Sequence, residues 1–127
     1  MGLLSLAVAL LIGAVEVKSL NTCSSVCACY TGMDGQGRMT YTAECSSRSL
    51  REVPKDIPER TTSIIMSHND LSNQKKLNWS HWPNLTELVL DHTSLQNISI
   101  NHLFGASRLR KLWLDYNVIT RLPADAF

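Results

Sequence analysis

The sequence of 127 residues has no excess of either charge, no cysteine after residue 45 and few aromatic side chains. Lys and Arg number 12 against 11 Asp and Glu, and aromatic residues make up 6% of the chain. This balance gives no electrostatic basis for a nucleic-acid partner or for an acidic tail. With 44% hydrophobic residues, the composition fits one globular domain, or one domain and a processed segment.

The sequence also lacks the common catalytic and phosphate-binding motifs, among them GxSxG, HExxH, the P-loop and GxGxxG. Its histidines and acidic residues occur at no spacing that would bring a general base to a nucleophile. We therefore expect no enzymatic activity, no cofactor and no metal centre. The function expected of such a chain is binding.

A long apolar run is missing as well. The stretch LLSLAVALLIGAV, from Leu3 to Val15, is too short to span a bilayer as a helix, and we expect no membrane span in this segment. The stretch does match the apolar core of a secretory signal peptide, and Val17 and Ser19 suit cleavage before Leu20, although no Lys or Arg precedes it. The sequence therefore predicts a signal peptide at residues 1–19 and an extracellular protein, either secreted or at the cell surface.

The cysteines follow the signal peptide closely, in the spacing C-x3-C-x-C-x15-C; they are Cys23, Cys27, Cys29 and Cys45. In an oxidising compartment an even, clustered number of cysteines indicates two disulfides, and spacing alone allows three pairings. A zinc site is the alternative, but the four histidines all lie beyond residue 67. Between the last two cysteines, the turn residues GMDGQG and the alternating RMTYTAEC predict a β-hairpin.

Three segments starting at Thr61, Leu85 and Leu109 align without gaps at a period of 24 residues, each following L-x-x-L-x-L-x-x-N-x-L. The alternating part predicts a short strand with its leucines turned inward, and stacked coils would share one core. An asparagine at the N site can hydrogen-bond the turning backbone. Thr93 occupies that site in the second segment, so we expect that coil to be locally weaker.

These repeats resemble the extracellular leucine-rich repeat family. The run Leu50-x-x-Val53-Pro54-x-x-Ile57-Pro58, with the cysteine spacing before it, resembles the cysteine-rich cap that precedes such repeats. The resemblance implies an α/β-type leucine-rich repeat solenoid, with short parallel β-strands on the concave face, irregular convex segments and a disulfide-stapled β-hairpin cap. It also implies the pairs Cys23–Cys29 and Cys27–Cys45.

The leader, the cap and the period together divide the sequence into three parts: a signal peptide at 1–19, a cysteine-rich cap at 20–60, and about three repeats at 61–127. The last repeat is incomplete, because Phe127 occupies the bulky site five residues before its end. We expect the chain to be the N-terminal fragment of a longer protein, in which a membrane span could follow.

The outward strand positions of such a solenoid form its natural binding surface, and their columns can be read from the period. We predict that a protein ligand contacts eight of these positions: Ile65, His68, Val89, Asp91, His92, Trp113, Asp115 and Tyr116. The expected role is receptor-type or adhesion-type recognition. The alternative is a small matrix leucine-rich protein with a structural role in the extracellular matrix.

Two further expectations concern individual residues. The columns place His68 and His92 on adjacent coils, where a metal would lack fixed further ligands and a pH-sensitive contact is the favoured interpretation. Three N-x-S/T sequons predict glycosylation at Asn78, Asn84 and Asn97.

Overall fold

The fold is known from a computed structural model, which describes residues 23–96, 98 and 100–119. The predicted signal peptide, Asn97 and Phe127 lie outside this part. Five strands are present: β1 (Ala28–Met33), β2 (Met39–Glu44), β3 (Ser63–Ile65), β4 (Glu87–Val89) and β5 (Lys111–Trp113). A 3-10 helix covers Ile100–His102.

The strands form one sheet in the order β1-β2-β3-β4-β5. The hairpin strands β1 and β2 are antiparallel, and the remaining pairs are parallel. Ile64 pairs with Leu88, and Leu88 pairs with Leu112, so each step across the repeats advances by the 24 residues of the sequence period. The predicted solenoid of short parallel strands behind a hairpin cap is confirmed.

The core consists of the inward side chains of successive coils. Each inward leucine position packs against its counterpart one coil away, and many of these side chains are fully buried; they include Ile64, Met66, Leu71, Leu85, Leu88, Leu90, Leu95 and Ile98. Trp79 and Trp82 complete the core of the first coil, with ring centroids 5.9 Å apart. Their indole N–H groups donate to backbone carbonyls, so neither ring buries an unsatisfied donor.

Two polar residues occupy inward positions of the first coil, and each side chain has a hydrogen-bond partner. Thr61 stands at a leucine site and is only 2% exposed, and its hydroxyl donates to the carbonyl of Pro58 at 2.7 Å. The half-buried Gln74 donates its side-chain amide to the carbonyl of Arg51 at 2.9 Å. Burial of these polar groups is tolerated because each has a hydrogen-bond partner.

Asn69 and Asn117 each bond their own turn to the coil before it, where the cap counts as the coil before Asn69. The side-chain amide of each donates to one carbonyl in its own turn and one in the preceding coil, at 2.8–3.0 Å. The side-chain oxygen of each accepts two backbone N–H groups of that preceding coil, at 2.8–3.2 Å. The asparagine sites therefore form the backbone-bonding contacts that the repeat pattern predicts.

Thr93 replaces this arrangement in the middle coil. Its hydroxyl donates to the carbonyl of Leu90 at 2.6 Å, within its own coil, and its backbone N–H donates to the Asn117 side-chain oxygen of the next coil at 2.9 Å. The contact to the preceding coil comes from the backbone instead, because the Leu71 N–H donates to the Thr93 carbonyl at 2.9 Å. This turn places Ser94 at a left-handed φ of 63°. The predicted local weakness of this coil stays a prediction.

The cap is cross-linked by disulfides Cys23–Cys29 and Cys27–Cys45, the pairs that the family resemblance implies. Polar contacts add to them at the start of the described chain, where the Ser24 hydroxyl and the Ser25 N–H both donate to the Asp56 carboxylate. The cap is therefore joined to the segment that leads into the first coil, and β2 continues the same sheet into the repeats.

The first two coils are in close contact at Gly105, outside the strands. Its φ is +85°, and a Cβ atom placed there would lie 2.5 Å from the backbone nitrogen of Ser80. Only glycine fits both the conformation and the space.

Across residues 23–96, 98 and 100–119, no helix is both long and apolar enough to cross a membrane.

Candidate functional site

The sheet face turned away from the core, here called the concave face, carries an apolar row across the three repeat strands. Ile65, Val89 and Trp113 occupy paired positions on β3, β4 and β5. The first two side chains are half-buried, whereas the Trp113 indole is 48% exposed. Three of the eight predicted binding residues are thus brought together in one line.

The Trp113 ring is held in place by Glu87 on the neighbouring strand. The indole N–H of Trp113 donates to one Glu87 carboxylate oxygen at 3.0 Å, and the Ser63 hydroxyl donates to the other at 3.2 Å. Glu87 was not among the predicted binding residues. Its position in the outward column beside the apolar row is the sequence signal that could have indicated it.

A stack of three rings lies next to this row, in the turns that follow the strands. The ring centroids of His68 and His92 are 4.1 Å apart with 20° between their planes, and those of His92 and Tyr116 are 4.5 Å apart with 15°. Tyr116 is 78% exposed. All three residues have left-handed φ values of 55–60°, which are uncommon for non-glycine residues. The predicted column of these residues is therefore a continuous ring stack.

Asp91 joins the stack from the side. Its Oδ2 lies 3.0 Å from Nδ1 of His92, and its Oδ1 accepts the Ser67 hydroxyl at 2.5 Å. Burial raises the pKa of the Asp91 carboxyl, but the hydrogen bonds from Ser67 and His92 outweigh it, so the pKa lies below its ordinary value. The carboxylate is therefore charged at neutral pH. The predicted residue Asp115 is exposed, and its backbone carbonyl accepts the His92 N–H at 3.1 Å.

This arrangement is suited to recognition. Aromatic side chains held by neighbouring hydrogen bonds can enter an interface with little loss of conformational freedom, and exposed Trp and Tyr are the residue types that dominate binding energy. Acid and imidazole groups beside them add directional polar contacts. The surface thus combines the apolar row that ends at Trp113 with the neighbouring ring stack and the Asp91 carboxylate.

The sequon asparagines that the structure describes are both exposed and lie outside the strands. The Asn78 side-chain oxygen accepts the N–H and the hydroxyl of Ser80 at 3.0 and 2.5 Å. The Asn84 side-chain oxygen accepts a guanidinium N–H of Arg108, one coil further on, at 3.0 Å. Their glycosylation stays a prediction, and Asn97 lies outside the described residues.

The stacked strands, the asparagine turns and the cross-linked hairpin define the class of protein. The leucine-rich repeat family model matches residues 83–127. The chain therefore carries leucine-rich repeats, and its cysteine pairs fit the cap that precedes extracellular repeats of this kind.

Curated relatives agree with this class. The chain is 33% identical over 85 residues to leucine-rich repeat-containing protein 3 of Danio rerio, covering 66% of this chain and 32% of that protein. It is 30% identical over 81 residues to fibromodulin of Homo sapiens (63% and 22%) and 28% identical over 96 residues to Toll-like receptor 8 of Homo sapiens (65% and 9%). The chain thus spans about a third or less of the length of these relatives.

Proposed function

We propose that the chain is an extracellular recognition module that binds a protein partner through its concave face, as a receptor or adhesion protein does. The observation that carries this proposal is the pair of exposed rings, Trp113 and Tyr116, which Glu87 and His92 hold in position on one surface. Exposed aromatic groups fixed on a rigid sheet are typical of a surface that a partner covers.

The extracellular part of the proposal rests on three observations. Two disulfides persist in an oxidising compartment and are rare in the cytosol. The relatives include Toll-like receptor 8, whose name states a receptor. The sequence adds an apolar leader of signal-peptide length and three sequons.

A matrix protein is the second candidate, and the similarity to fibromodulin favours it. In that case the chain would organise other extracellular polymers instead of reporting a ligand to a cell. The two candidates use the same fold, and they differ in what the concave face binds.

The test compares two surface variants of the secreted chain on a panel of purified extracellular domains, with decellularised matrix as a separate arm. The double variant Trp113→Ala, Tyr116→Ala removes both rings. We expect it to weaken partner binding about 30-fold or more, because a central aromatic anchor contributes about 2 kcal/mol or more.

The matched control is Phe104→Ala, which removes a ring that is 52% exposed and lies outside the strands. Binding should be unchanged in this variant. A partner that is lost with Phe104→Ala and kept by the double variant would overturn the concave-face proposal. Retention by the matrix arm alone would favour the matrix candidate.

The ring stack predicts a pH dependence of partner binding. Imidazole is the side chain that changes charge in the physiological pH range, and two imidazoles stack at 4.1 Å on this face, so acid should change the surface that the partner meets. We expect affinity to fall as the pH is lowered from about 7.5 to about 5.5. Surface plasmon resonance across this range is the measurement, and a flat affinity would contradict the expectation.

Glycosylation offers a separate check on secretion. Because Asn78 and Asn84 lie outside the strands, glycans there should leave the concave face open. We expect secreted material to shift in mobility after glycosidase treatment, and the variant Asn78→Gln to lose part of that shift while binding its partner normally. Secreted chain without any shift would count against this assignment.

A further inference from the structure

The structure supplies a third ligand beside the two stacked histidines, and we propose that His68, Asp91 and His92 bind a zinc ion. One ligand atom from each of these residues lies within 4.8 Å of the others. Zn²⁺ binds imidazole nitrogen and carboxylate oxygen at about 2.0–2.2 Å, which places tetrahedral ligands about 3.3 Å apart. The three ligand atoms are therefore spaced slightly more widely than the ligands of a zinc ion.

Rotation of one side chain, that of His68, can bring the three ligand atoms to the spacing that zinc requires. His92 is half-buried between the rings of His68 and Tyr116 and is hydrogen-bonded to Asp91, so its position is determined by the fold. His68 is exposed and stacks on one side only, so its ring can turn about its side-chain torsions towards the carboxylate. His92 and Asp91 thus form the fixed half of the site, and His68 is the part that adjusts.

Ser67 orients the carboxylate from outside the ligand set. Its hydroxyl donates to one Asp91 oxygen at 2.5 Å, and the other oxygen faces Nδ1 of His92. Loss of a group that hydrogen-bonds a metal-binding carboxylate commonly lowers the affinity for the metal, sometimes almost as much as loss of a ligand does. The fold therefore provides an outer contact as well as the three donors.

The donor set favours zinc over the common hard cations. Imidazole nitrogens suit Zn²⁺ and other late transition metals, whereas Ca²⁺ requires six to eight oxygen ligands. Three protein ligands leave one tetrahedral position open, which water or a side chain of a bound protein can fill.

A zinc ion here would link two coils at the place where the asparagine contact is missing. His68 belongs to the first coil, and Asp91 and His92 belong to the second, whose turn carries Thr93 in place of asparagine. The ion would join these neighbours directly. Zinc binding should therefore raise the thermal unfolding temperature of the chain, since a ligand that binds only the folded state stabilises it.

Isothermal titration calorimetry of the tag-free secreted chain with ZnCl₂ is the test. We expect one ion per chain, no heat with CaCl₂, and release of the ion at about pH 5, because a protonated imidazole cannot bind metal. Absence of zinc binding by the folded chain at neutral pH would overturn the proposal.

Three variants locate the site. His68→Phe keeps an aromatic ring in the stack and removes a ligand, so zinc binding should be lost while the circular dichroism spectrum is unchanged. Ser67→Ala should weaken binding about tenfold through the carboxylate that it orients. The control is His81→Gln, because His81 is an exposed histidine outside the strands, packed edge-on against Trp82.

The control variant should bind zinc normally. Unchanged affinity in His68→Phe, or loss of binding in His81→Gln, would show that the ion binds elsewhere and would refute the assignment. Should His68→Phe fail to fold, His68→Gln provides the same ligand deletion without an added ring. The measurement needs no protein partner, so its outcome is independent of the proposed function.

Discussion

The hairpin cap and the stacked coils belong to one sheet, yet they are stabilised in different ways. In the hairpin, large apolar side chains remain in solvent: Tyr30, Met33 and Met39 are 54%, 66% and 48% exposed. Two disulfides hold this end together. In the coils, inward leucines such as Leu88 are fully buried, and all four cysteines of the sequence lie elsewhere.

The difference follows from the number of neighbours. A middle coil of a solenoid packs on both sides, so burial of its leucines stabilises it. Among the described residues, the hairpin lies at the edge of the sheet with a neighbour on one side only, and it has too little apolar contact to be stable alone. Covalent cross-links therefore take the place of the missing neighbour. Four predictions test this division, from the largest expected effect to the smallest.

Leu88→Ala should give the largest effect, because it opens a cavity between β3 and β5. We expect the free energy of unfolding to fall by about 4 kcal/mol. The matched change in the hairpin, Met39→Ala, should cost less than about 0.5 kcal/mol, because that side chain is half in solvent. Urea denaturation followed by circular dichroism measures both, and equal losses would remove the distinction.

Removal of the Cys27–Cys45 disulfide by Cys27→Ser, Cys45→Ser should cost about 3 kcal/mol, since the bond closes a loop with a sequence separation of 18. The same change at Cys23 and Cys29, with a separation of 6, should cost about 2 kcal/mol. Chemical denaturation of the two double variants gives the comparison. A larger loss from the shorter loop would contradict the chain-entropy explanation.

Gly105→Ala tests the close contact between the first two coils. The new Cβ would meet the Ser80 backbone, and its left-handed φ disfavours any L side chain, so we expect a loss of about 2 kcal/mol. Gly35→Ala, in the hairpin turn, meets no atom within 4 Å and should be nearly neutral. Thermal unfolding of the pair is the measurement; a neutral Gly105→Ala would mean that the coils can separate there.

Thr93→Asn should have the smallest effect and the opposite sign. An asparagine can donate to the preceding coil as Asn69 and Asn117 do, so we expect a gain of about 1 kcal/mol. Hydrogen exchange at the Leu71 amide should slow in the variant. No gain in unfolding free energy would indicate that the backbone contact at Thr93 already replaces the side chain fully.

The sequence predicted the sheet well because a strict period determines register. Ile65, Val89 and Trp113 stand 24 residues apart, and repetition of one coil places them side by side. The same reasoning placed the histidine and tyrosine positions in one column. The period also identified Thr93 as the exception among the turns.

The contacts within the site could not be read from the period. The bond from Glu87 to Trp113, and the approach of Asp91 to His92, depend on side-chain torsions that spacing does not encode. Trp82 occupies no inward position of the repeat pattern. Its buried indole N–H donates to the Ile57 carbonyl in the cap, and the period does not predict this contact. Ser94 has a left-handed φ of 63° in the turn that carries Thr93, and the spacing of the repeat does not predict this conformation.

The left-handed backbone under the ring stack has a consequence for protein engineering. His68, His92 and Tyr116 all stand where φ is positive, a conformation that glycine and asparagine adopt at lower cost. A library selected for thermal stability alone would therefore enrich these small residues at the three positions and lose the rings. Under the proposed function, a stabilised version should keep the three residues unchanged and gain its stability elsewhere.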